Sequence, residues 1–144
     1  MEHIAIMRKS WGLTKKILTG EKTIESRWYK NKYQPFDRIK VGDTVYFKDS
    51  GEPVKIRADV VKVLQFSDLN HQKVREILEK FGPNDGLGID EIGTYFQMFK
   101  DKKYCVLVFF ENPVEIEPFE INKKGYGTMS SWICVDEIDR IKAS

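Results

Sequence analysis

Gly20-Glu21-Lys22-Thr23-Ile24-Glu25-Ser26-Arg27 combines a helix stop, a turn and a strand start. Upstream, Ser10 is placed to cap a short helix in which Leu13, Ile17 and Leu18 recur at helical spacing. Gly20 then sits where a left-handed C-cap is wanted. Thr23 to Tyr29 favours a strand, which puts Glu25 and Arg27 on one face because alternate side chains share a side. Lys22, at the turn, is free to fold toward either face. Three ionisable groups therefore converge at one bend, and ionised residues seldom sit in so apolar a neighbourhood unless they pair or bind something. Two readings stay open at this point: a ligand site, or a same-face Glu25–Arg27 ion pair on an exposed strand, worth under about 1 kcal/mol.

Before this bend, His3 to Met7 is short and apolar enough for a first strand, and Trp11 is expected to pack under the helix that follows. After it, Trp28 to Pro35 is an aromatic and basic segment closed by a proline, which reads as a loop. Val41-Gly42-Asp43 has turn chemistry, and Thr44 to Lys48 alternates as a half-buried strand. In the next strand Val54, Ile56, Ala58 and Val60 share a face, and then the phase slips to Val61 and Val63. That slip predicts a bulge near Val60, of the kind that curls a sheet toward a barrel. From Asn70 the period becomes helical: Val74, Ile77, Leu78 and Phe81 make an amphipathic helix stopped by Gly82-Pro83. A loop through Asp85 leads to a second helical pattern at Ile89, Ile92, Phe96 and Phe99. Tyr104 to Phe110 is a continuous apolar run, expected as a central strand buried on both faces and ended by Asn112-Pro113. Val114, Ile116 and Phe119 predict a separate strand, Met129 to Val135 carries Trp132, and a short turn with Ile138 and Ile141 closes the chain. Strands joined by hairpin turns and interrupted by helices argue for one α+β domain, residues 1–144, on a bent or closed sheet of mostly antiparallel strands.

The 144 residues suffice to bury a core without disulfides or metal. Lys plus Arg number 24 against 22 for Asp plus Glu, so a formal charge of +2 does not advertise a nucleic-acid binder, and any attraction to phosphate must come from local clustering. No apolar run approaches the roughly 20 residues that span a bilayer, and the N-terminus lacks the features of a secretory signal. The expectation is a cytoplasmic protein with no membrane contact. Cys105 and Cys134 lie in apolar surroundings, as reduced, buried cysteines do. The two histidines, His3 and His71, have no spacing suited to zinc, and neither a P-loop, a Rossmann fingerprint nor a nucleophile elbow occurs. No cofactor and no metal are expected.

What remains is a basic and aromatic constellation: Lys22, Arg27, Trp28, Lys30 and Lys32 near the bend, with Lys123, Lys124, Tyr126 and Trp132 late in the chain. Aromatic faces stack on bases, each contributing about 1 to 3 kcal/mol, while Lys and Arg engage phosphates. Trp132 fits a core position as well as a cleft position.

Gly20-x-Lys22-x-x-Glu25-x-Arg27, between a short helix and a strand, resembles the signature of ASCH domains in the PUA-like superfamily, and the Val41-Gly42-Asp43 turn before a strand resembles them too. The resemblance implies a β-pseudo-barrel surrounded by helices, with the signature lining a cleft that binds RNA or a nucleobase. Lys22, Glu25 and Arg27 would face that cleft, joined by Trp28, Lys30, Tyr126 and Trp132. Some small bacterial relatives remove the acetyl group from N4-acetylcytidine, and others have been proposed to cleave RNA. For that chemistry the resemblance supplies Lys22, and Asp85 as a carboxylate from the loop between two helices. The threonine that those amidohydrolases use as nucleophile falls at Glu25 here, which would then serve as general base for water. The leading expectation is a domain that binds RNA or a modified nucleoside. The alternatives are a hydrolase using Lys22, Glu25 and Asp85, or a protein-interaction module in transcription or translation. Neither the physiological ligand nor the oligomeric state follows from the sequence.

Overall fold

The computed structural model describes residues 1–127 and 129–143. Within them, β1 (Glu2–Met7), β2 (Ile24–Tyr29), β3 (Thr44–Asp49), β4 (Val54–Phe66), β5 (Tyr104–Phe119) and β6 (Trp132–Val135) form one sheet in the order β2-β5-β4-β3-β1-β6. Only β1 and β3 pair in parallel; every other pairing is antiparallel. Three helices, α1 (Leu13–Thr19), α2 (His71–Phe81) and α3 (Ile92–Phe99), lie around it.

Alternation along each strand sorts the apolar residues into layers. Ala5, Met7, Val45, Phe47, Val106, Val108 and Phe110 fill the concave side with Leu13 and Ile17 of α1. Cys105 and Leu107, their neighbours on β5, point the other way and pack under Val74, Ile77 and Leu78 of α2 and Tyr95 of α3. Burial on both faces explains why Tyr104 to Phe110 is apolar without interruption. On the opposite flank Ile4, Tyr46, Val54, Ile133 and Val135 cover Ile141 of the closing turn. The sheet is therefore a curled half-barrel with helices on its outside, an α+β pseudo-barrel.

The register slip expected near Val60 is present: Val60 pairs with Phe110 and Lys62 with Phe109, so Val61 is extra on β4. Two boundaries differ from the sequence reading. The run from Tyr104 does not end at Asn112-Pro113; β5 continues to Phe119, because Asn112 takes φ 56° and one extra residue is absorbed where Asp59 pairs with Glu111 and Arg57 with Val114. Ser10 does not cap α1. It lies inside a 3-10 turn, Lys9–Trp11, which Gly12 at φ 63° separates from the α-helix. Gly20 does end α1 in the left-handed conformation, at φ 84°.

Candidate functional site

Curling brings the two edges of the sheet together. Arg27 on edge strand β2 reaches across the gap, donating through Nη2 to Ile6 O on β1 at 3.2 Å and through Nη1 to Ser131 O, just before β6, at 3.1 Å. A cavity of about 300 Å³ opens at this gap, a size that fits the lower end of ligand pockets. Because β2 is an edge, both of its faces contribute: Glu25 and Arg27 from one, Ser26 and Trp28 from the other.

The polar end is one connected network. Lys22 is fully buried at the turn into β2, with its backbone N–H on Lys16 O at 3.0 Å. Its ammonium donates to the backbone carbonyls of Ile24 and Asp85, both at 2.7 Å, and to the Asp85 carboxylate, and it lies 3.1 Å from Glu25 Oε1. The second Glu25 oxygen accepts from Arg27 at 2.8 Å. The second Asp85 oxygen accepts from the Ser26 hydroxyl at 2.5 Å, and Ser26 Oγ in turn accepts from the Trp28 indole N–H at 3.1 Å. Asp85 can come this close because the loop before α3 crosses tightly over the turn. Thr23 N–H donates to Asn84 O at 2.7 Å and Lys16 Nζ to Gly86 O at 2.8 Å. Gly86 takes φ 86°, and a Cβ there would stand 3.4 Å from the side chains of Leu13, Lys16 and Lys22.

Two cations and two carboxylates thus share a water-poor volume, and the proton affinities of Lys22, Glu25 and Asp85 diverge. Burial alone would lower Lys22, but the flanking carboxylates of Asp85 and Glu25 outweigh it and hold the ammonium above its ordinary value. Burial alone would raise Glu25, yet Lys22 and Arg27 hold it below the usual carboxylate range. Asp85 moves up instead: burial and the neighbouring Glu25 charge overcome the pull of Lys22.

The walls are aromatic. Trp28 stacks on Phe99 with centroids 5.0 Å apart and planes within 6°, Phe99 lies on Tyr95 at 6.0 Å, and Tyr95 meets Trp11 edge-on at 5.6 Å. Tyr29 also lines the cavity; its hydroxyl is buried with no hydrogen-bond partner among the described residues, and burial pushes it up to about 12. Buried hydroxyls are rarely left unpaired.

Of the candidates read from the sequence, the structure brings together Lys22, Glu25, Arg27, Trp28 and Asp85, but Lys22, expected to face the cleft, is fully buried behind the two carboxylates it pairs with and does not line the cavity. Trp132 is fully buried in the concave core and stands behind the cavity, 5.2 Å from the Arg27 guanidinium that crosses its ring. Lys30 is exposed at the far end of β2, and Tyr126 packs beside the closing turn; neither lines the cavity. Ser26, Arg8, Trp11, Tyr95 and Phe99 line it without having been singled out. Tyr95 stands three residues after Ile92 and four before Phe99, so helical spacing alone places it on their face. A larger hollow of about 390 Å³, between α1 and the ends of β3, β4 and β5, contains none of the signature residues. Among the described residues no three His, Cys, Asp or Glu side chains gather as a metal-binding group, and no helix is long and apolar enough to cross a membrane.

No family model matches the chain, and no curated protein matches it by sequence. Solved structures do match its fold. The ASCH protein of Zymomonas mobilis superposes over 99% of this chain and 96% of its own with a TM-score of 0.66, at 14% identity. The N-terminal domain of McrB from Staphylothermus marinus covers 96% of this chain and 90% of its own, with a TM-score of 0.55 at 12% identity. The hypothetical protein PH0355 matches over 79% of this chain and all of its own, with a TM-score of 0.54 at 24% identity. At these identities the likeness is one of fold, and the fold is that of an ASCH-like domain.

Proposed function

We propose that the cavity between the sheet edges binds a nucleobase, presented by single-stranded RNA or as a modified nucleoside. The observation that carries this reading is the pairing of flat aromatic walls with a polar end built from Glu25, Ser26 and Asp85. Trp11, Trp28 and Tyr95 offer faces for a planar heterocycle, and base stacking contributes about 1 to 3 kcal/mol per base. The oxygens of Glu25 and Asp85 keep lone pairs able to accept from an exocyclic amine or amide, and the buried Tyr29 hydroxyl, without a partner among the described residues, bonds a base edge where ligand entry uncovers it. An NMR titration of labelled protein with short single-stranded RNAs and with cytidine nucleosides tests it. Shifts at the indole N–H signals of Trp11 and Trp28 and from Gly20 to Lys32 are expected; absence of shifts with every ligand would remove the reading.

A hydrolase is the second reading, and a specific contact favours it: the Ser26 hydroxyl donates to the carboxylate of Asp85, the group whose proton affinity is raised. In this chemistry Ser26 Oγ attacks the carbonyl carbon of an acylated amine while its proton passes to Asp85. The C–N bond then breaks as Asp85 returns that proton to the leaving nitrogen, and water, deprotonated by Asp85, releases the acyl group from Ser26. Glu25 is the weaker base, since two cations, Lys22 and Arg27, hold it below the usual carboxylate range. Incubation with N4-acetylcytidine, followed by chromatography, should yield cytidine with the parent chain and none with Ser26→Ala. No product over long incubation would leave binding alone.

A further inference from the structure

The cavity is polarised from end to end, and the guanidinium at its mouth keeps all its hydrogen-bond donors unengaged among the described residues. From the surface inward, the Arg8 guanidinium lies 4.9 Å over the Trp11 ring, and the aromatic series from Trp11 through Tyr95 and Phe99 leads to Trp28, Ser26 and Asp85. Arg8 is exposed and Trp11 half-buried, while Trp28 and Asp85 are each 7% exposed. At the inner end every charge is matched: Lys22 and Arg27 against Glu25 and Asp85. An anion seated there would have to break those pairs, so the inner end suits a neutral group with donors and acceptors. At the mouth, the Arg8 guanidinium rests on the Trp11 ring and has no hydrogen-bond or ion-pair partner among the described residues. Glu91, whose charge also reaches Tyr95, is turned back to accept from Gly88 N–H at 2.7 Å. A neutral inner end, flat apolar walls and a free guanidinium outside follow the order of a base and its phosphate.

We infer that Arg8 binds the phosphate of a nucleoside phosphate whose base stands between the aromatic walls. The inference rests on the nucleobase reading and adds that the ligand is phosphorylated, as a free nucleotide or as a residue in a strand. Guanidinium donors match phosphate oxygens in a forked, charge-assisted geometry, and the Trp11 face under Arg8 restricts the guanidinium plane before the ligand arrives.

Calorimetric titration of the full chain with the four ribonucleosides, their 5′-monophosphates and the corresponding trinucleotides tests the inference. The preferred monophosphate should bind about tenfold tighter than its nucleoside, with the advantage shrinking as salt is raised. Arg8→Ala should abolish that advantage, whereas Lys9→Ala, which removes an equal charge from a surface pair with Glu52, should preserve it. A trinucleotide that binds tighter still assigns the phosphate to a strand, and one that merely equals the monophosphate assigns it to a free nucleotide; both support the role of Arg8. Equal affinity for nucleoside and monophosphate, or an advantage that survives in Arg8→Ala, overturns this inference and leaves the base reading standing. No binding by any of the three classes overturns both.

Discussion

Lys22 holds Asp85 twice, through its carboxylate and through its backbone carbonyl at 2.7 Å, across 63 positions of sequence. The signature lysine is thus also the clamp that fastens the loop before α3 onto the start of β2, and its removal touches the fold as well as the site. Lys22→Met should lower unfolding free energy by about 3 to 5 kcal/mol, because Asp85 and Glu25 would be left buried with one cation between them. Urea unfolding followed by tryptophan fluorescence measures this directly. A midpoint equal to that of the parent chain would mean that the ion pairs carry no structural weight.

Tyr29→Phe separates binding from stability in the opposite way. The hydroxyl is buried without a partner among the described residues, so deleting it removes a desolvated group and leaves the ring in place. Stability should stay within about 0.5 kcal/mol of the parent or rise, while affinity for the preferred nucleotide should fall about five- to tenfold. If affinity is unchanged, the hydroxyl does not meet the ligand.

Protonation of His3 is the acid weakness of the fold. Its Nδ1 accepts from the Trp132 indole N–H at 3.1 Å, and an indole can only donate, so the imidazole is neutral with its proton on Nε2, facing Asp43 at 2.8 Å. Burial holds His3 below its ordinary 6.5, against the raising effect of Asp43; the N-terminal ammonium and Arg38 push the same way as burial. The unfolded chain therefore takes up a proton that the folded chain resists. His3 contributes its full stability above pH 6.5, and that contribution is lost as pH falls toward the lowered folded value. Melting temperature should drop between pH 7.5 and 5.5, and His3→Gln should flatten the slope over that interval. An equal slope in the variant would show that another group titrates there.

The fold was legible where a single periodicity decides it. The alternation of β3, the helical spacing of α2 and the phase slip at Val60 each name a face, although β3 is not half-buried as expected: Tyr46 and Lys48, opposite Val45 and Phe47, are buried too. At Gly12 and Asn112 a helix and a strand are respectively broken and prolonged by backbone conformations that leave no periodic trace. For the site, Lys22, Glu25 and Arg27 announced themselves as charges in an apolar stretch. Ser26 did not, because a serine at a strand position is unremarkable until Asp85 arrives from the loop before α3. Arg8 and Trp11 joined the cavity only through the curl of the sheet, which is a property of β4 and β5 and is written nowhere near them. Trp132, with chemistry suited to either place, is sealed in the core by its bond to His3.

Arg27 joins the edges that the curl brings together, and this makes it the residue whose loss should open the cavity. Its guanidinium satisfies Ile6 O, Ser131 O, the Ser131 hydroxyl and Glu25 Oε2, and it lies over Trp132. Arg27→Gln keeps some hydrogen bonding but cannot span both edges and leaves Glu25 with Lys22 alone. A loss of about 2 to 4 kcal/mol is expected from the Glu25 carboxylate left with one cation and from the lost charged hydrogen bonds. The Ile6 amide, which donates to Ser131 O at 2.9 Å where the β1–β6 ladder borders the gap that Arg27 spans, should then exchange with solvent faster, whereas Leu107 at the centre of β5 should change only as far as global stability does. Native-state hydrogen exchange distinguishes these responses. Selective acceleration at Ile6 identifies Arg27 as a latch between the edges, while uniform acceleration across the sheet would reduce it to one more contributor to stability.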